Sequence, residues 1–269
     1  MPIVQGKHYI YTVRPGDTLY SIAARLGSNV QLIGQTNALY PPITDPGLIY
    51  PGQVLIVSEA GISQQQNAVL YIIGPGDTLT QIASRFSVSV DLMAGINQIP
   101  DPNLIYINQM ITAPAFIYEV AQGDTLFRIG QFFGVTLGAL LQANQRRPGL
   151  SPDVIYPGYR LIIPLPSTRN VVIFNPLPGT RIEPGQSLEG YARVFEATAQ
   201  YQIRDNNGQI VTKERTITTS EGAPAYGRFS AVIQFDAEPT TSEGQLWVYS
   251  YSAKDGSIQD LTAVKVMFR

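Results

Sequence analysis

A four-residue sequence, Gly-Asp-Thr-Leu, occurs three times in the 269 residues: Gly16, Asp17, Thr18 and Leu19; Gly76, Asp77, Thr78 and Leu79; Gly123, Asp124, Thr125 and Leu126. Its carboxylate could do one of two things. An aspartate can pass protons in a hydrolysis, and glycoside cleavage needs only two carboxylates. It can also fix a turn or cap the free N–H groups where a helix starts. Recurrence of the same Asp in three separate places favours the second role. Tyr20 and Phe127 follow the first and third tetrads and could each present an aromatic face, where the second copy has Thr80. Later in each copy comes a second loop: Pro46, Gly47, Leu48 and Ile49; Pro102, Asn103, Leu104 and Ile105; Pro152, Asp153, Val154 and Ile155.

Other reactive groupings are missing. There is no Cys, which removes disulfides, thiolate zinc sites and Cys nucleophiles. The one His, His8, is close to the N-terminus and has no visible partners for a triad or a metal set, so neither a metal nor any other cofactor is expected. Glu183, Glu189, Glu196, Glu214, Asp236 and Glu238 are scattered without a motif. A net charge of −2 and a pI near 5.4 leave no basic excess for a phosphate backbone, so nucleic acid is not an expected partner. No stretch approaches the roughly 18–20 apolar residues of a membrane span. Met1 to His8 lacks the apolar core of a secretory signal, so none is read there.

The elements that must position the loops follow from internal repetition. Each tetrad is preceded by a short β-rich run, Tyr11-Thr12-Val13, Tyr71-Ile72-Ile73 or Tyr118-Glu119-Val120. After it, Leu19, Ile22, Ala23 and Leu26 fall at i, i+3, i+4 and i+7, one apolar helix face. Leu79, Ile82, Ala83 and Phe86 repeat this, as do Leu126, Ile129, Gly130 and Phe133. A second cap at Asn29, Ser89 or Thr136 starts another helix, which ends near Asn37, Asn97 or Asn144, twenty residues past each Asp. These Asn residues read as helix-end fixtures. Each copy closes on Ile-Tyr and an apolar strand, and Tyr50, Tyr106 and Tyr156 read as strand or core anchors. The distance from Asn to Tyr varies between copies, as expected of surface loops that meet ligands. Arg146 and Arg147 in the third loop read as a solvated pair. The predicted unit is strand–helix–helix–strand, spanning 1–58, 69–114 and 115–165, with a polar linker at 59–68 that includes Gln64, Gln65 and Gln66.

From Asn170 the helical period disappears. Seven β-rich runs are predicted: Val171–Phe174, Ser187–Phe195, Ala199–Arg204, Ile210–Ile217, Arg228–Phe235, Gln245–Tyr251 and Thr262–Phe268. Asp205-Asn206-Asn207-Gly208 and Lys254-Asp255-Gly256 read as hairpin loops. About seven strands in about 100 residues suggest an antiparallel β-sandwich. Trp247, the only Trp, lies in the alternating Leu246-Trp247-Val248-Tyr249 and is expected in the core.

The threefold Gly-Asp-Thr-Leu-x-x-Ile, the Asn twenty residues on, and the closing Ile49-Tyr50-Pro51-Gly52-Gln53 resemble the LysM module. Copy two departs with Ile107-Asn108-Gln109, and copy three with Pro157-Gly158-Tyr159. Asn175-Pro176-Leu177-Pro178-Gly179, Gly190 to Ala197 and Ile203-Arg204-Asp205 resemble the immunoglobulin-like domain of bacterial spore germination and sporulation proteins. The implied fold class is α+β multidomain: three βααβ LysM modules and, at 166–269, an antiparallel immunoglobulin-like β-sandwich. The first resemblance implies non-catalytic binding of N-acetylglucosamine-containing glycans, peptidoglycan or chitin, in a groove between the tetrad and the second loop. An acetamido group offers one donor, one acceptor and a methyl, which loop amides and an apolar floor complement. Aromatic faces at Tyr20 and Phe127 favour copies one and three over copy two. The second resemblance implies a spore-forming bacterium and a place in the cell wall or spore envelope, reached from the mother-cell cytoplasm in the absence of a leader. Two alternatives stand beside this reading: a structural protein whose β-sandwich recruits another spore-envelope protein, and, more remotely, a wall hydrolase.

Overall fold

The computed structural model describes residues 2–45, 47–61 and 68–268. The N-terminal part holds β1 (Ile3–Val4), β2 (Lys7–Thr12), α1 (Leu19–Leu26), α2 (Val30–Thr36) and β3 (Val54–Ser58). The second repeat gives β4 (Ala68–Ile72), α3 (Leu79–Arg85), α4 (Val90–Ile96) and β5 (Met110–Thr112). The third gives β6 (Ala115–Glu119), α5 (Leu126–Phe133), α6 (Leu137–Ala143) and β7 (Arg160–Pro164). Residues 62–67, including Gln64, Gln65 and Gln66 of the polar stretch, lie outside the described residues.

Sequence periodicity explains the first repeat directly. Leu19, Ile22, Ala23 and Leu26 turn one face of α1 inward, and with Tyr11, Val13, Ile33, Leu55 and Val57 they form a closed core. Burying each such aliphatic side chain stabilises the unit by roughly 1.5–3 kcal/mol. Asn37 ends α2 and ties it to the returning strand. Its amide donates to the Ile33 and Ile56 carbonyls at 2.8 and 2.7 Å and accepts the Ile56 N–H at 2.8 Å. Asn144 repeats this on Leu140 and Ile162, at 2.9, 2.7 and 2.8 Å.

The chain divides into two compact units. Unit one comprises Met1–Ser87, Asp101–Gly130 and Thr136–Pro164; unit two comprises Val88–Pro100, Gln131–Val135 and Leu165–Arg269. Within unit one the repeats are interlocked. Strands β2 and β4 pair in parallel, so the first two repeats share the sheet β3-β2-β4-β5. Strand β1 pairs antiparallel with β6 of the third repeat. Among the described residues four guanidinium groups cross between repeats, Arg160 by donating to the Thr36 hydroxyl at 3.1 Å. Arg14 donates to the Asn108 amide oxygen at 2.8 Å and the Ile73 carbonyl at 3.3 Å. Arg85 reaches the carbonyls of Ala143 and Gln145 at 3.0 and 3.3 Å. Arg147 donates to the Asn37 amide oxygen and the Arg160 carbonyl, both at 2.7 Å, and lies 5.3 Å from the Tyr159 ring centre.

The solvated reading of Arg147 is therefore wrong: the residue is only 5% exposed. Its partners come from residues far apart in sequence, which a local reading does not see. His8 is likewise not a free terminal residue. It sits inside β2, 3% exposed, with Nδ1 at 2.9 Å from the Ser58 hydroxyl and Nε2 at 3.2 Å from the Val4 carbonyl.

Unit two is a two-sheet sandwich. One sheet has the order β12-β9-β8, from β8 (Val171–Asn175), β9 (Ser187–Ala192) and, later in the chain, β12 (Gly227–Val232); all neighbours are antiparallel. The other, β11-β10-β13-β14, is built from β10 (Thr198–Asp205), β11 (Ile210–Thr218), β13 (Glu243–Tyr251) and β14 (Ile258–Met267), again antiparallel. Each of the seven predicted runs holds a strand, although β9 stops at Ala192 and β12 at Val232, short of the predicted Phe195 and Phe235. The core holds Val171, Ile173, Leu188, Tyr201, Ile203, Phe229, Leu246 and Val264. Gly190 is needed in the central strand β9, since a Cβ there would lie 2.2 Å from the Val172 carbonyl of β8 and 2.5 Å from the Phe229 ring of β12. Helix α4 belongs to this unit and is held by an ion pair from Asp91 to Arg169 at 2.9 Å. Among the described residues no single helix is long and apolar enough to cross a membrane.

Candidate functional site

The first loop of each repeat is a tight turn locked by its aspartate. Gly16, Gly76 and Gly123 have φ of 83°, 80° and 83°, a conformation glycine adopts without steric cost. The N–H of Asp17 closes the turn on the Arg14 carbonyl at 3.1 Å, Asp77 on Gly74 at 3.3 Å, and Asp124 on Ala121 at 3.2 Å. The carboxylate then accepts the N–H of that same residue, at 2.8, 2.7 and 2.8 Å. It also accepts the hydroxyl of the strand tyrosine: Tyr11 at 2.6 Å, Tyr71 at 3.0 Å and Tyr118 at 2.5 Å. Burial works to raise the Asp17 carboxyl, but hydrogen bonds from Tyr11, the Arg14 N–H and Arg25 outweigh it and hold the group below the usual carboxylate range. All three aspartates are committed to the turn in the same way.

The threonines do the capping. Thr18 accepts the Ser21 N–H at 3.1 Å, Thr78 that of Gln81 at 3.2 Å, and Thr125 that of Arg128 at 3.2 Å. Leu19, Leu79 and Leu126 are the first helical residues and point into the cores. The tetrads therefore present to solvent mainly Gly16, Gly76 and Gly123, the three threonines, and the residue that follows. Tyr20 is 78% and Phe127 65% exposed; Thr80 is exposed in the second repeat.

The second loops offer Leu48, Leu104 and Val154, all exposed, beside the half-buried Ile49, Ile105 and Ile155. Gly47, Asn103, Pro152 and Asp153 are exposed and Pro102 is half-buried; Pro46 lies outside the described residues. Asn103 and Asp153 N–H groups are tied back to Asp101 at 2.9 Å and Ser151 at 3.3 Å. A turn then joins this loop to the closing strand, and that turn is clamped beside the first loop. The Val13 N–H donates to the Gln53 carbonyl and the Val13 carbonyl accepts the Gly52 N–H, both at 2.8 Å. Ile73 with Asn108 and Gln109, and Val120 with Gly158 and Tyr159, repeat the arrangement at 2.8–3.0 Å.

The same turn overturns one expectation. Tyr50, Tyr106 and Tyr156 are not core anchors; they are 56%, 62% and 36% exposed. The closing strands begin only at Val54, Met110 and Arg160. Each tyrosine instead opens a turn whose last N–H returns to its carbonyl, at 3.1 Å from Gln53, 3.0 Å from Gln109 and 3.0 Å from Tyr159. The strand tyrosines Tyr11, Tyr71 and Tyr118 are buried instead. Tyr-Pro-Gly in the first and third copies is a turn signature that could have revealed this. It also explains the departure in the second copy: Asn108 takes φ of 70°, the left-handed conformation held by Gly52 and Gly158 in the other repeats.

Residues 11–58, 71–114 and 118–164 match the LysM domain, and residues 170–257 match the immunoglobulin-like domain of bacterial spore germination. The chain belongs to the LysM family. Its three LysM modules precede that immunoglobulin-like domain, an α+β arrangement in which both sandwich sheets are antiparallel. The chain is 28% identical over 181 residues to the secreted LysM effector ECP6 of Passalora fulva, covering 57% of this chain and 76% of that one. It is 28% identical over 240 residues to an autolysin of Enterococcus faecalis, covering 76% and 31% respectively. It is 25% identical over 173 residues to the N-acetylmuramoyl-L-alanine amidase sle1 of Staphylococcus epidermidis, covering 57% and 50%. The chain thus spans half or less of each of these bacterial relatives.

Proposed function

We propose that this chain binds N-acetylglucosamine-containing glycans, peptidoglycan or chitin, through its three LysM modules and does not cleave them. It would thereby be held on a bacterial cell wall or spore cortex. The observation that carries this reading is the threefold recurrence of one construction: a rigid acidic turn beside an exposed apolar loop that ends in an exposed tyrosine. A sugar with an acetamido group meets backbone amides, an aliphatic floor and an aromatic edge there. Module spans of 1–58, 69–114 and 115–165 each supply one such loop pair, and 166–269 supplies the sandwich.

The tie-up of the aspartates supports the non-catalytic part. A carboxylate that already accepts a backbone N–H and a tyrosine hydroxyl is poorly placed to receive a proton from substrate. Each groove is small, and three grooves on one polymer raise effective concentration, by roughly 10²–10⁴ in avidity. Tyr20 and Phe127 add an aromatic face to the first and third grooves, which are expected to bind more tightly than the second.

The test is sedimentation with deproteinised peptidoglycan and with chitin, alongside titration with N-acetylglucosamine oligomers. Co-sedimentation without release of soluble fragments is expected. Failure to sediment with either polymer, or release of soluble muropeptides, would overturn the proposal. Removing residues 1–166 addresses the recruiting role of the sandwich: envelope localisation should be lost, and its survival would assign the address to the sandwich.

A further inference from the structure

Trp247 was expected in the core, and the structure places it elsewhere. In the pairing of β10 with β13, Tyr201 and Ile203 lie opposite Val248 and Leu246, and these four fill the sandwich core. Alternation then puts Gln200, Gln202 and Arg204 opposite Tyr249, Trp247 and Gln245 on the other face of the sheet. Trp247 is half-buried there and Tyr251 on the same strand and face is 44% exposed, whereas Tyr249 and Gln202 between them are buried.

That face is an ordered network. The Trp247 indole N–H donates to the Gln245 amide oxygen at 2.8 Å, and the Arg204 guanidinium lies 4.7 Å from the indole ring centre. Arg204 in turn donates to the Gln202 amide oxygen at 2.6 Å. Next to it, the Tyr249 and Tyr251 hydroxyls both donate to one oxygen of Glu214 at 2.5 Å, and Thr216 donates to the Gln200 amide oxygen at 3.0 Å. Aromatic rings are thus held among amide, hydroxyl and carboxylate groups whose orientations are already set.

We propose that this outward face of β11-β10-β13-β14 is a second glycan-binding site, separate from the LysM grooves, and that it takes an uncharged strand of N-acetylated sugars. Three features favour a sugar over a protein surface. The middle of the face carries no Leu, Ile or Val, which would supply the apolar core of a protein interface; the exposed Ile210 and Ile258 lie apart on the two edge strands. Rings of Trp and Tyr pack on sugar C–H faces, while Gln and Glu side chains match hydroxyl and acetamido groups. Arg204 and Lys265 are matched by Glu214 and Glu243, which leaves the face without net charge and disfavours an anionic polymer. Preset side chains also reduce the ordering cost of binding. A wall-binding chain would in this way hold its polymer at a further point.

Because Trp247 is the only Trp in the chain, selective excitation of its indole reports this face while the LysM grooves remain silent. The full chain is titrated with the N-acetylglucosamine hexamer, following Trp emission and binding heat in parallel. A saturable emission change is expected. It should weaken at least fivefold in Tyr251→Ala and in Glu214→Gln, both exposed positions, while co-sedimentation with peptidoglycan persists. Binding heat with unchanged emission would overturn the second site and leave the LysM proposal standing. An emission change that survives both substitutions would also overturn it, since the signal would then originate elsewhere. Absence of both heat and emission would end both proposals.

Discussion

Truncating Arg147 tests whether the three LysM modules form one interlocked body in solution. Arg147→Ala removes the only donor given to the Arg160 carbonyl by this side chain, and leaving a buried acceptor unpaired costs about 1–3 kcal/mol. The Asn37 oxygen is less affected, because it also accepts the Ile56 N–H. Loss of the aliphatic stem adds about 0.8 kcal/mol per methylene, and loss of the contact with the Tyr159 ring adds about 0.5–2 kcal/mol. Against these stands relief of burying a cation: burial pushes the Arg147 pKa down, and its Nε has no hydrogen-bond partner. The net expectation is a loss of about 2–4 kcal/mol for Arg147→Ala. Arg147→Met keeps the stem and sheds the charge, so it should cost no more than about 2 kcal/mol. Urea unfolding followed by the helical circular dichroism signal measures both, while Trp247 emission reports the sandwich separately. If Arg147→Ala left the helical transition unchanged, the buried cross-link would not exist as described. The functional corollary is that avidity for insoluble wall material should fall in Arg147→Ala more than affinity for a short oligomer that fills one groove.

The remaining predictions concern single residues. Burial lowers the His8 pKa from 6.5 to about 4, opposed by its bond to the Val4 carbonyl and aided by the Arg160 charge. The unfolded chain therefore binds the extra proton between those values. Stability should be fully present above pH 6.5 and fall by up to about 3 kcal/mol as pH drops toward 4, where the loss levels off. His8→Gln should flatten that part of the melting temperature against pH profile, and an unchanged slope would count against the buried neutral ring. Tyr106→Ala should weaken oligomer binding at the second module by roughly 2–10-fold, the worth of an aromatic contact of about 0.5–1.5 kcal/mol, with amide shifts at the first module unaltered. Gly95→Ala puts a Cβ 2.1 Å from the Tyr226 ring and should lower the stability of unit two by about 1–3 kcal/mol, read from the Trp247 unfolding transition.

How far the architecture could be read in advance depended on whether its cause was local. Helix starts at Thr18 and Thr78 and the apolar faces beyond them are set by residues within one turn of each other, so periodicity and capping chemistry find them. The seven sandwich strands follow from alternation between turn signals in the same way. The failures share a different cause. Arg147 is buried because Asn37 and Tyr159 meet it in space; its immediate neighbours, Arg146 and Pro148, suggest solvent instead. The alternation around Trp247 only sorts residues into two faces. Which face is the core is decided by Leu246 and Val248 meeting partners from the opposite sheet. For the tyrosine before each closing strand, a boundary shift of a few residues is enough to move an aromatic ring from the core to the surface. That last error bears most on function: the side chains best placed to touch a ligand sit where a strand has not yet begun, and there burial cannot be deduced from the apolar run that follows.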